Sequence, residues 1–331
     1  MSRSSRWEQL LAKIPVAQTA PQTSDAQYSF RTICNYVSGI AECIRDEFGY
    51  DFAAAVATAM QTRITKNLAQ SIVALSDGEK NALVRGWSTE ALLRQPLNES
   101  SLLQPSVHWA PVQAYYAVHG TSSAWIGAGA NTTLTHANHL RSISSHLAPS
   151  KSLPASIRIH AVSESPAIVR GAPSGQLTLG PASGTLIAPD KNSCHEVAAR
   201  GLIFARRRHL EELRVDWLRK NKRKKLPAGK YRDLDARLQP TTIYDFLYRL
   251  RLRANYDDAE PFLSGGLSTN DSHRFLADLA TIVAFLNFVA EFHIAARVGS
   301  GALAALVPGA AGLIAGESGQ CLANRKAHWP R

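Results

Sequence analysis

The stretch Ile243-Tyr244-Asp245-Phe246-Leu247-Tyr248-Arg249-Leu250-Arg251-Leu252-Arg253-Ala254-Asn255-Tyr256 decides the fold. Ile243, Phe246, Leu247, Leu250 and Ala254 fall at i, i+3, i+4, i+7 and i+11, the repeat of a helix that buries one face. Thr242 and Asp245 set its start, with Pro240 just upstream. A second face is polar: Tyr244, Tyr248, Arg251 and Asn255 line up, with Arg249, Arg253 and Tyr256 in the neighbouring row. Arg and Tyr clustered opposite a core stripe can grip phosphate and stack on a base. The plain alternative is a solvated face on which Arg253 pairs with Asp257 at i+4.

Helical signals surround this segment. After a turn at Ser264-Gly265-Gly266, Phe275, Leu279, Ile282, Phe285, Leu286, Phe288, Val289 and Phe292 wrap most of a helix over about residues 272–298, which predicts a central element. Beyond Gly299 the chain turns Ala/Gly-rich and then polar, and a loosely held tail over 299–331 is expected. Upstream, Phe30, Ile33, Val37, Ile40, Ile44 and Phe48 make a helical stripe. A second helix is expected from Asp51 to Leu75, and Ser76 with Glu79 forms a capping box before Leu83 and Trp87. Residues 1–100 are therefore expected as an N-terminal helical extension. Two more helices are expected between Ser106 and Leu147, separated by a loop at Gly127–Thr133.

Between Ala148 and Ser193 there are six prolines and four glycines around short β-prone fragments: Ile157–Val162, Ala167–Val169, Gln176–Leu179 and Thr185–Ile187. A long helix follows, from near Cys194 to about Lys225, ended by Pro227 and Gly229. From Arg206 to Lys225 there are ten Lys/Arg against three Asp/Glu, so much of the net charge of +11 sits in one segment. Arg206, Arg207, Arg208, Lys220, Lys222, Arg223, Lys224 and Lys225 would attract a phosphate backbone by counterion release, and Trp217 could stack on a base. A solubilising helix end is the plainer reading, but ten cations exceed what capping needs.

Of 331 residues, 45% are apolar and 19% charged, enough for a sizeable core and too apolar for wholesale disorder. Cys34, Cys43, Cys194 and Cys321 form no Cys-x-x-Cys pair, which argues against a disulfide scaffold or a thiolate zinc site and fits a reducing compartment. His136, His139 and His146 lack a matching carboxylate or Cys, so no metal and no cofactor are expected. Met1–Trp7 does not read as a signal peptide. Polar residues interrupt 279–298, and Pro308 breaks 299–316, so no membrane association is expected and the location is read as cytoplasmic. Gly299-Ser300-Gly301-Ala302-Leu303-Ala304 follows a helix rather than a strand and is rejected as a dinucleotide fingerprint.

The run Leu247–Tyr256, with a long apolar helix some twenty residues later, resembles the C-terminal half of HEPN domains, the helical bundles of prokaryotic toxin–antitoxin, CRISPR and abortive-infection systems. Ala114-Tyr115-Tyr116-Ala117-Val118-His119 looks like the Tyr-Tyr-Ala helix of that domain, and His136–Leu147 like the helix after it. The resemblance covers about 101–149 and 231–298. It implies a mainly α fold, a HEPN-like bundle with an N-terminal extension and a small β-rich, basic insertion over 150–230.

Many members of that family are dimeric, metal-independent RNases in which an Arg is followed four to six residues later by a His. Arg stabilises charge on the phosphate while His moves a proton. Here the corresponding positions hold Tyr256, Asp257 and Asp258 after Arg251, and Asp258, Ala259 and Glu260 after Arg253. That departure shifts the expectation from cleavage to RNA binding, through the basic segment and Tyr248, Asn255 and Tyr256. The alternatives are an endoribonuclease using Arg251 or Arg253 with Asp257 or His119 as a substitute acid/base, and a structural partner whose Arg/Tyr face docks another protein. A homodimer is implied by the resemblance.

Overall fold

The structure, a computed structural model, describes residues 24–64, 74–127, 135–147, 153–163, 169–170, 193–257, 262, 267–308 and 317–330. Helix α1 (Ser24–Phe48) buries Phe30, Ile33, Val37, Ile40 and Ile44, the expected stripe. It is followed by α2 (Phe52–Ile64). Helix α3 (Asp77–Arg94) starts on the expected capping box: Ser76 Oγ accepts from the Glu79 N–H at 3.3 Å, and Glu79 Oε2 accepts from the Ser76 N–H at 2.8 Å. A 3-10 turn, Gln95–Asn98, leads into α4 (Ser100–Trp125), and α5 (His136–Leu147) follows.

The expected β-rich insertion is mostly absent from the described residues. Ile157 belongs to a one-turn helix, α6 (Ala155–Arg158), and strand structure is limited to β1 (His160–Ala161) paired antiparallel with β2 (Val169–Arg170). Gln176–Leu179 and Thr185–Ile187 lie outside the described residues. Ala161 also bridges Thr241, exchanging N–H···O bonds of 3.0 and 2.8 Å, which ties β1 to the residue just ahead of the Arg/Tyr helix.

Helix α7 (Cys194–Lys220) stops earlier than expected; Asn221 caps it, and Lys222 takes a left-handed φ of 50°. The exposed Lys222–Lys225 run is therefore a turn rather than a helix end. After α8 (Lys230–Arg237) comes α9 (Ile243–Leu252), extended by one π-helical turn, Arg253–Asp257. The central helix is α10 (Thr269–Val298), followed by α11 (Ser300–Ala304) and α12 (Glu317–Lys326).

One continuous core joins these elements. Helix α10 packs on α1, α2, α3 and α4; α1 lies along α7, and α9 lies against both α4 and α7. The N-terminal helices thus belong to the core rather than extending from it. Among the described helices, α10 alone is long and apolar enough to cross a membrane, but 89% of its apolar window is buried inside the protein, as in a core helix. The described end of the chain is also held: Leu322, Arg325 and Trp329 are buried, correcting the expectation of a loose tail.

Candidate phosphate-binding site

Three helices bring their aromatic and basic residues to one place. On α4, Tyr115 and His119 are one turn apart and so share a face; on α5, His136 and His139 do the same at i+3; on α9, so do Tyr248 and Arg251. A buried polar knot fixes the relation of α5 to α9. Asp245 Oδ2 accepts from the Thr242 N–H at 2.8 Å and from the Thr242 hydroxyl at 2.9 Å, capping α9, and also from the Ser144 hydroxyl of α5 at 2.9 Å. Burial pushes the Asp245 carboxyl up, against the hydrogen bonds that favour its charge.

The guanidinium of Arg251 sits among three tyrosine rings, 5.3 Å from the centroid of Tyr115, 5.0 Å from Tyr116 and 5.6 Å from Tyr248. Tyr115 Oη lies 2.8 Å from His136 Nδ1. The imidazole of His119 contacts those of His136 and His139, with centroids 5.0 and 4.4 Å away. Ser122 and Ser123 hydroxyls fix the His139 ring, at 2.9 Å from Nε2 and 3.3 Å from Nδ1. Arg251 Nε and Nη1 and His119 Nε2 are buried and have no hydrogen-bond partner among the described residues. Buried polar atoms without partners cost free energy, and here three of them converge on one cluster.

Burial, then the neighbouring His139, His136, Arg85 and Arg251, lowers the His119 pKa to about 3. Burial and His136 lower that of His139 to about 4, and burial and Arg251 lower that of His136. At neutral pH the imidazoles of the cluster are therefore neutral. Tyr116, at the edge of the cluster, is 40% exposed. A cleft of about 550 Å³ between α3 and α4 is lined by Arg85, Gln113, Tyr116, His119 and Ser123, and Gln113 Oε1 is a further buried acceptor without a partner among the described residues.

Of the sequence-derived candidates, Arg251, His119 and Tyr248 meet here. Arg253 does not; it points to α1, hydrogen-bonds Ser29 Oγ and lies 5.6 Å over the Phe204 ring. Arg249 pairs with Glu212 of α7. Asn255 is half-buried, while the side chains of Tyr256 and Asp257 lie outside those described.

Arg206 is fully buried. It binds Asp235 Oδ1 at 2.7 Å and the Asp235 and Gln239 carbonyls at 2.7 and 3.0 Å, so it serves packing and is withdrawn from the RNA-binding set. Arg207 and Arg208 are exposed. Lys220 shares Asp216 with Arg219. Trp217 is half-buried, with Lys230 Nζ 5.8 Å from its ring centroid, so one face of the indole is already covered. Lys222, Arg223, Lys224 and Lys225 are exposed and make no ion pair among the described residues.

Sequence reasoning passed over His136, His139, Arg85 and Gln113 as parts of this site. The available signal was the i+3 spacing of His136 and His139 on the helix that, in the resemblance, follows the Tyr115-Tyr116 helix. No family model, curated protein or solved structure matches the chain.

Proposed function

We propose that this protein binds RNA, with the Arg251 cluster receiving a phosphodiester and the tyrosine rings flanking the ribose or base. The observation that supports it is Arg251 held inside a tyrosine cage with Nε and Nη1 unpartnered, next to an unpartnered His119 Nε2. A planar guanidinium presents two N–H groups to two phosphate oxygens, and aromatic faces accept any base. Lys222–Lys225 add a sequence-independent attraction. A homodimer and a setting in prokaryotic defence or toxin–antitoxin systems follow from the HEPN resemblance alone.

A second reading, metal-independent endoribonuclease, gains from His119 and His136 standing beside Arg251. One imidazole would take the proton of a ribose 2′-OH as its oxygen attacks phosphorus. The imidazolium so formed would return that proton to the departing 5′-oxygen, and Arg251 would neutralise the charge on the non-bridging oxygens. His119 then takes the place of the missing Arg-x(4–6)-His histidine.

Fluorescence anisotropy with labelled single-stranded RNA in EDTA tests both readings. Arg251→Ala should weaken binding at least about tenfold, with Arg251→Lys intermediate because a single ammonium replaces a fork. Neutralising Lys222–Lys225 should flatten the salt dependence. RNA cleavage lost in His119→Ala with binding retained would establish the nuclease. Binding indifferent to all of these changes would remove the RNA reading and leave the Arg/Tyr face as a protein-docking surface.

A further inference from the structure

A second cluster lies apart from the Arg251 site, where α1 meets the start of α7. Cys43 is on the inner face of α1 and is 1% exposed; Cys194 and His195 open α7, and Cys194 is fully buried. The two helices touch closely there. A Cβ added to Gly39, one turn before Cys43, would stand 2.6 Å from Val197 Cγ1 and 2.8 Å from Val197 Cβ, so only glycine allows the approach.

That approach brings together residues 152 positions apart: Cys43 Sγ lies 3.4 Å from His195 Nδ1, and the ligand atoms of Cys43, Cys194 and His195 all lie within 4.8 Å of one another. A tetrahedral zinc ion with Zn–S near 2.3 Å and Zn–N near 2.0–2.1 Å requires S···N of about 3.5 Å and S···S of about 3.8 Å. The 3.4 Å between Cys43 Sγ and His195 Nδ1 meets the first of these.

The surroundings suit a cation. Asp46, one turn beyond Cys43, acts electrostatically on all three groups, and Glu42 acts on both thiols. The nearby guanidinium of Arg45 is turned away, 2.7 Å from Asp278 Oδ1.

We infer that Cys43, Cys194 and His195 form a zinc site that staples α1 to the start of α7, with water completing the tetrahedron. The ligand set is two thiolates and one neutral imidazole coordinating through Nδ1. Each thiol gives up its proton to solvent as the metal binds, so loading one Zn²⁺ releases two protons. The site is independent of the RNA-binding reading.

The probe is Co²⁺ added to the reduced, metal-free full chain, which reports thiolate coordination through a sulfur-to-cobalt charge-transfer band. One Co²⁺ per chain is expected, displaced by Zn²⁺, with the band lost in Cys43→Ser and in Cys194→Ser. His195→Gln should weaken uptake at least about tenfold, in line with the cost of losing a ligand. Cys34→Ser and Cys321→Ser should leave the band unchanged. Absence of the band, its persistence in Cys43→Ser, or a Cys43–Cys194 disulfide forming with no metal uptake by the reduced chain would overturn the inference. Should the serine variants not fold, the unaltered chain decides: Zn²⁺ must raise its Tm over the chelator-treated protein, and no rise overturns the site.

Discussion

Arg325 Nη2 stands 2.8 Å from Glu291 Oε1, and its Nη1 stands 2.6 Å from Glu90 Oε1, so one buried guanidinium serves two buried carboxylates. Trp87 Nε1 adds a bond of 2.8 Å to Glu291, and Asn287 Nδ2 one of 2.7 Å to Glu90. Removing the cation would leave Glu291 buried and unneutralised, and Glu90 with only Arg94 Nε at 3.3 Å. Arg325→Met should therefore cost about 3–5 kcal/mol in urea denaturation. Adding Glu291→Gln to that background should recover part of the loss, and a single-variant cost under about 1 kcal/mol would mean the network is dispensable.

Helices α3 and α4 cross at glycines. A Cβ on Gly120 would lie 2.6 Å from the Ala82 carbonyl oxygen and 2.9 Å from Gly86 Cα. Both obstacles are backbone, so they cannot swing aside. Gly120→Ala gains up to about 1 kcal/mol of helix propensity but should lose about 1–3 kcal/mol in overpacking, a net destabilisation. Because Gly120 lines the cleft beside His119, RNA affinity should fall with it. A raised Tm with affinity unchanged would contradict the crossing.

Acid should unfold the protein earlier than its carboxylates alone would require. His119, His139 and His293 are lowered by burial to about 3, 4 and 3, from an ordinary value of 6.5. Around His119 stand His139, His136, Arg85 and Arg251, none of which favours its protonated form. A depressed folded pKa means that the unfolded chain binds more protons. The stabilisation is present above about pH 6.5 and is lost as pH falls towards the folded values. From about pH 7.5 to about pH 5, each such histidine should remove on the order of 1–2 kcal/mol, read from denaturant midpoints. His139→Asn should reduce that slope.

Lys222 separates charge from conformation. Its φ of 50° strains a side-chain-bearing residue that glycine would tolerate. Lys222→Gly should stabilise the fold by about 0.5–1 kcal/mol while lowering the salt-dependence slope of RNA binding by about 1. A loss of stability would show that the lysine side chain has a partner.

Helix periodicity was the legible part. The stripes of α1, α9 and α10 read directly from spacing because each buries apolar residues on a helical repeat. The boxes Ser76/Glu79 and Thr242/Asp245 were legible because capping chemistry is local. The approach of Tyr115 to Tyr248, centroids 5.3 Å apart, was not legible in the spacing of either helix. What spacing could not give is partners from distant segments. The ion pair that makes Arg206 structural depends on Asp235, and the placement of His136 and His139 beside His119 depends on how α5 folds back on α4. The basic run misread as a helix end shows the converse: charge marks a surface but does not set where a helix stops.

A helix as greasy around its whole circumference as α10 has no favoured rotation in an oily interior; turned or slid by a residue, it would still find hydrocarbon on every side. Asn287 and Glu291 remove that freedom, since Asn287 must meet the Thr121 hydroxyl at 2.6 Å and Glu291 the Trp87 indole. Their polar atoms act as keys that fit one alignment, so the sequence specifies a single packing where hydrophobicity alone would allow several.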